Sequence, residues 1–81
     1  MRVKVLLFAG LRERAGLSET VQEVPEGATV AAVWNALAAE RPALAPYERV
    51  VSAAVNAGFA RMSAQVSEGD EVAFLPPVSG G

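Results

Sequence analysis

The sequence predicts an α+β domain in which one main helix packs across one face of a mixed sheet and a short extended tail follows. Three observations predict it. Strand-like runs with two-residue alternation stand near both ends of the chain, at 2–9 and 71–75. One stripe at helical spacing, Val30, Val33, Trp34 and Leu37, lies between them. The 81 residues, 52% of them apolar, suffice for one core and leave no room for a second.

Each element follows from its residues. Arg2 to Ala9 is rich in β-branched and aromatic residues, with Val3, Val5 and Leu7 on one face and Lys4, Leu6 and Phe8 on the other. Both faces are largely apolar, although a single helix covers only one. Gly10 to Gly16 has room for one helical turn, closed by Gly16. Glu19 to Val24 reads as a returning strand carrying Val21 and Val24. Pro25-Glu26-Gly27 is a turn, and the Thr29 hydroxyl offers a helix cap. The helix runs from 29 to 40, bounded by Pro42, and Trp34 belongs to its core stripe. Residues 42–48 carry two prolines and read as an irregular connection. Arg49 to Asn56 is a strand with Val51, Ala53 and Val55 on one face, Asn56-Ala57-Gly58 is turn chemistry, and Phe59-Ala60-Arg61 returns briefly. A turn at Glu68-Gly69-Asp70 leads to the last strand, Glu71 to Leu75, with Val72 and Phe74 on one face and Glu71, Ala73 and Leu75 on the other. Setting the last strand beside the first satisfies the layer and handedness rules. That arrangement is the β-grasp, or ubiquitin-like, fold, although the pattern alone admits other α+β folds. The domain spans 1–75 and the tail 76–81.

Composition narrows the chemistry. Without cysteine the chain forms neither a disulfide framework nor a thiolate zinc site. Without histidine it lacks the usual general base, the usual metal ligand and every Ser-His or Cys-His arrangement. The expectation is a chain that is no enzyme on its own and binds neither cofactor nor metal. The net charge is −2, and the basic residues Arg2, Lys4, Arg12, Arg14, Arg41, Arg49 and Arg61 are scattered, which argues against a nucleic-acid partner. No apolar run approaches membrane-spanning length, and Val3 to Phe8 is followed by Gly10-Leu11-Arg12-Glu13-Arg14 rather than a cleavage region. The chain reads as cytoplasmic, with no membrane partner.

The most informative segment is Pro76-Pro77-Val78-Ser79-Gly80-Gly81. Gly80 and Gly81 have no side chains, so this end can enter a narrow channel and adopt backbone angles closed to other residues. Pro76 and Pro77 favour an extended, stiff approach. Extended, the six residues reach roughly 20 Å at about 3.3 Å each. A bare Gly-Gly end is most often only a frayed terminus. The prolines, and the strand that feeds them, point instead to a carboxylate on a stalk.

With these residues in place the chain resembles the small subunit of molybdopterin synthase, the sulfur-carrier family of molybdenum-cofactor biosynthesis. The resemblance spans the whole length. It is strongest in Val3-Lys4-Val5-Leu6-Leu7-Phe8-Ala9 with Arg12-Glu13, in Ala53-Ala54-Val55-Asn56, and in the ending from Gly69 to Gly81. From Ala28 to Glu48 it is a likeness of pattern only. The resemblance implies a cycle at Gly81. An adenylating enzyme related to ubiquitin-activating enzymes uses ATP on the C-terminal carboxylate. A sulfur donor system then makes a thiocarboxylate, and the tail enters the large synthase subunit, where sulfur passes to a pterin precursor. An α-carboxyl with a pKa of about 3.5 is ionised and a poor electrophile at neutral pH, and adenylation removes that obstacle. A chain without cysteine cannot carry sulfur on a side-chain thiol, which leaves the terminus. The family's hydrophobic contact with its partners falls on Phe8, Phe59 and Leu75, the last standing where aromatic residues also occur. The plainer reading makes Phe8 and Leu75 ordinary core, but a helix over 29–40 covers only one face, which favours partner surface. The acidic group Glu68, Asp70 and Glu71 offers a contact for a basic partner surface, or is a solvated turn.

Three rival readings stay open. A sulfur carrier for thiazole synthesis or tRNA thiolation would use the same chemistry with another acceptor. A ubiquitin-like modifier would be joined to protein lysines. A small autonomous enzyme is disfavoured by the missing His and Cys.

Overall fold

Alternation places Val3, Val5 and Leu7 on one side of the first strand, and all three are buried. In the computed structural model, which describes residues 1–77, this strand is β1 (Arg2–Leu7). The other elements are α1 (Ala9–Ala15), β2 (Glu19–Glu23), α2 (Val30–Glu40), a 3-10 helix (Pro42–Tyr47), β3 (Ser52–Val55), β4 (Gly58–Ala60) and β5 (Glu71–Leu75). The sheet order is β2-β1-β5-β3-β4, with β1 and β5 parallel and the other neighbours antiparallel. The last strand therefore lies beside the first, as expected for a β-grasp.

The α2 stripe covers one face of this sheet. Val30, Val33, Trp34 and Leu37 are buried against Val3, Val5, Leu7, Val72 and Phe74. The Trp34 and Phe74 rings meet edge to face, centroids 5.0 Å apart and planes at 67°, a geometry favoured by the ring quadrupoles. Thr29 caps the helix by accepting from the Ala32 N–H at 3.3 Å.

Several boundaries differ from the sequence expectation, each for a local reason. β1 stops at Leu7, because Phe8 takes the N-cap position of α1 while keeping an extended backbone (φ −122°, ψ 153°). The helix that follows has seven residues rather than one turn, because Leu11 and Ala15, one helical repeat apart, both bury. Gly16 does close it, at φ 78°. The irregular connection at 42–48 is a 3-10 helix whose Leu44 is buried in the core. β3 is shorter than 49–56, because the N–H groups of Val50 and Val51 turn back to donate to the Tyr47 carbonyl. In β2 the inward side chain is Gln22, whose Nε2 donates to Glu40 Oε1 at 2.9 Å, whereas Val21 faces out.

The β3–β4 loop has two residues, Asn56 at φ 49° and Ala57 at φ 72°, with Gly58 already in β4. Positive φ at both positions suits the tight hairpin turns that match strand twist. Asn accepts it readily, whereas the Cβ of Ala resists it. Ala57→Gly is therefore expected to stabilise the fold by about 1 kcal/mol, since a non-glycine residue held there costs on the order of 1–3 kcal/mol. A chemical-denaturation midpoint that rises with an unchanged slope checks this.

Candidate functional site

The face of the sheet that α2 leaves bare follows from the same alternation. Across its middle the registers place Glu19, Leu6, Ala73, Ala54 and Phe59 in one row. One step toward the end of β5, Leu75 pairs with Ser52. The extended backbone of Phe8 carries the β1 alternation one residue past the last pair, Leu7 with Phe74, and so sets Phe8 beside Leu75. Phe59 is 86% exposed and Phe8 44% exposed, while Leu6, Ala54, Ala73 and Leu75 are half-buried. None of these six belongs to the buried core. Phe8, Phe59 and Leu75, singled out from sequence, thus share one apolar surface, joined by Leu6, Ala54 and Ala73.

Backbone geometry holds Phe8 in that place. Ala9 has φ 50°, uncommon for a residue with a Cβ, and the Leu11 N–H donates to the Phe8 carbonyl at 3.1 Å. This sharp turn ends the strand and starts α1 without a side-chain cap.

The tail leaves from the same end of the sheet. β5 finishes at Leu75, where Pro76, lacking an N–H, cannot extend the ladder. Pro76 is half-buried and Pro77 exposed. Val78, Ser79, Gly80 and Gly81, all predicted as tail or reactive residues, lie outside the described residues.

At the opposite end a polar clasp ties the β3–β4 turn to the start of β5. Asn56 Nδ2 donates to Asp70 Oδ1 at 3.0 Å, and the Glu71 N–H donates to Asn56 Oδ1 at 3.0 Å. Asp70 Oδ2 accepts from the Ser67 N–H at 2.7 Å. The Glu68 carboxylate accepts from the Arg2 N–H at 3.0 Å. Two members of the acidic group are thus engaged within the chain. The Asn56 side chain, then the Ser67 N–H, hold the Asp70 carboxyl below its ordinary 3.8. Its folded pKa being depressed, Asp70 contributes stability above the unfolded value, and that contribution is lost as pH falls through the folded value. The thermal midpoints of the parent and Asp70→Asn should therefore differ by a constant amount above about pH 5 and converge below about pH 4. A gap that persists unchanged into the acid range would contradict the clasp.

Among the described residues no group of His, Cys, Asp or Glu is placed to hold a metal ion, and no helix is long and apolar enough to cross a membrane. The Lys4–Glu19 contact at 3.4 Å and the Arg2–Glu23 contact at 3.9 Å are exposed ion pairs of the kind that add little stability.

A five-stranded mixed sheet with one long helix across it, and an apolar strip left bare beside the departing tail, defines a ubiquitin-like β-grasp protein. The chain belongs to the ThiS family, which it matches over residues 5–81. It is 41% identical to the molybdopterin synthase sulfur carrier subunit of Escherichia coli, over 98% of this chain and 99% of that one. SAMP1, the small archaeal modifier protein 1 of Haloferax volcanii, has a solved structure that superposes with a TM-score of 0.87 at 33% identity, covering all of both chains. A complex of subunits 1 and 2 of the molybdopterin-converting factor of Helicobacter pylori shares the fold at 22% identity, TM-score 0.70, again over both full chains. The resemblance read from Val3–Ala9 and from the ending Gly69–Gly81 is borne out by these relatives.

Proposed function

We propose that the chain is the sulfur carrier of molybdopterin synthase, acting in the cytoplasm through a thiocarboxylate at Gly81. The observation that carries the proposal is the bare apolar strip Phe8–Leu6–Leu75–Ala73–Ala54–Phe59, which ends where the tail departs. A docking surface next to a side-chain-free end suits a protein that delivers its terminus into another protein's active site. The full-length likeness to a subunit named as a sulfur carrier supports the same reading.

The chemistry then runs as follows. The Gly81 carboxylate attacks the α-phosphate of ATP on a ubiquitin-activating-like enzyme, releasing pyrophosphate and leaving an acyl-adenylate. Sulfide delivered by the donor system attacks the acyl carbon, AMP departs, and a thiocarboxylate remains. In the large synthase subunit this sulfur passes to the pterin precursor, and hydrolysis returns Gly81 to a carboxylate. The chain binds no cofactor and supplies no acid or base; its partners hold the catalytic groups. Its own contribution is placement. Pro76 and Pro77 restrict the free tail and so reduce the ordering cost, roughly 1–2 kcal/mol per residue, of threading it.

Phe8→Asp tests the docking half of this reading. The aspartate would bring a charge into the apolar contact, so affinity for the large subunit should fall at least about tenfold, the equivalent of 1.4 kcal/mol. The thermal transition of the variant alone should stay put, because Phe8 lies outside the core. A lost transition would instead return Phe8 to the core.

The likeness to SAMP1 favours one second reading, attachment of Gly81 to lysines of other proteins. Its mark is a ladder of higher-mass conjugates in cell extract that disappears when Gly81 is deleted.

A further inference from the structure

We infer that Arg61 selects the docking partner by charge: the bare face fits a protein surface that presents a carboxylate at the mouth of the channel receiving the tail. This rests on the carrier reading above, and the partner it names is the large synthase subunit.

The placement of Arg61 comes from the β3–β4 register. Ala60 pairs with Ala53 and packs against the core, so its neighbours Phe59 and Arg61 alternate outward. Arg61 follows directly after the last pair, where β4 ends, on the side of Ser52, which pairs with Leu75. The row at the tail end of the bare face is therefore Phe8, Leu75, Ser52 and Arg61. Arg61 is the only charged side chain in it, and it is exposed. Among the described residues it makes no ion pair.

The remaining charges of this face are arranged differently. Lys4 is paired with Glu19, and Lys4 and Glu71 face each other across β1 and β5. Glu71 lies four residues from Leu75 along β5, about 13 Å at roughly 3.3 Å per residue. The far end of the face thus sets two cations, Arg2 and Lys4, against three carboxylates, Glu19, Glu23 and Glu71, while at the tail end Arg61 has no ion-pair partner among the described residues.

A protein that covers Phe8, Leu75 and Phe59 must also take water from the Arg61 guanidinium. Leaving that cation buried without a partner is costly, whereas a carboxylate can meet it with two parallel hydrogen bonds. The guanidinium fork therefore favours partners with an acidic channel rim and penalises those with a basic one. It also orients the encounter, since Arg61 sets a positive charge beside the apolar strip on a chain whose net charge is −2.

The test measures binding of the full chain to the large synthase subunit of the same organism at low and high ionic strength. Arg61→Glu and Arg61→Gln are compared with Arg14→Glu, an exposed change of the same charge on α1, and with Phe8→Asp. Each variant is checked for an unchanged thermal transition. Arg61→Glu should weaken binding about 10- to 100-fold at low salt, Arg61→Gln less, and Arg14→Glu not at all. Most of the Arg61→Glu deficit should vanish at high salt. If the parent binds, Phe8→Asp weakens it and Arg61→Glu does not, the charge inference is overturned and the carrier reading stands. An Arg61→Glu deficit that ignores salt, or that Arg14→Glu matches, also overturns it. If the parent chain does not bind, the carrier reading and this inference fall together.

Discussion

Deleting Gly81 should leave a chain that folds as before and cannot be activated. The fold side follows because, among the described residues, the last core side chain is Phe74, and β5 finishes at Leu75, six residues before Gly81. The chemical side follows from reach. Removing one residue withdraws the carboxylate by about 3.3 Å, and a misplacement of only about 1 Å can cost roughly 100-fold in rate. Binding to the activating enzyme, which engages the sheet face in this account, should change far less than the rate of adenylation. That split between affinity and rate separates a lost reactive end from a damaged docking surface. A deletion variant that accepts sulfur at the parent rate would remove Gly81 from the mechanism.

Trp34→Ala should be the most damaging single change to the fold. Trp34 is 1% exposed, meets Phe74 of β5 edge to face, and lies in the core that α2 shares with the sheet. Truncating a buried aromatic of this size typically costs about 3–5 kcal/mol. A domain of this length has a total stability of only roughly 4–12 kcal/mol, at about 0.05–0.15 kcal/mol per residue. The variant should therefore melt far below the parent, each 1 kcal/mol being worth about 4–8 °C in a domain of this size. Differential scanning calorimetry reads the shift directly. A Trp34→Ala protein that melts within a few degrees of the parent would mean that α2 is not the element holding the sheet together.

These two changes separate what the sequence disclosed from what it hid. The stripe Val30, Val33, Trp34 and Leu37 and the parity of Val3, Val5 and Leu7 were legible because both repeat over several periods. The bare face was legible for the same reason: Leu6 and Phe8, Ala73 and Leu75 alternate with core residues, and a single helix cannot cover both sides. α1 was seen at half its length because its start depends on the positive φ at Ala9, which propensity does not anticipate. Gln22 was missed as an inward residue because its partner, Glu40, lies 18 residues away. The Asn56–Asp70 clasp was hidden likewise, by a separation of 14 residues that only the fold closes. Arg61 looked like one scattered basic residue until the end of β4 placed it on the side of Ser52 and Leu75. Long-range polar pairs leave no periodic trace, so local pattern cannot find them.

In the proposed cycle Gly81 carries the sulfur. Its most direct test is the intact mass of the purified chain after incubation with ATP, the matching activating enzyme and a sulfur source. The expected result is a gain equal to one oxygen replaced by one sulfur, localised by fragmentation to Gly81. An unchanged mass, with the same activating enzyme shown to work on another carrier, would contradict it.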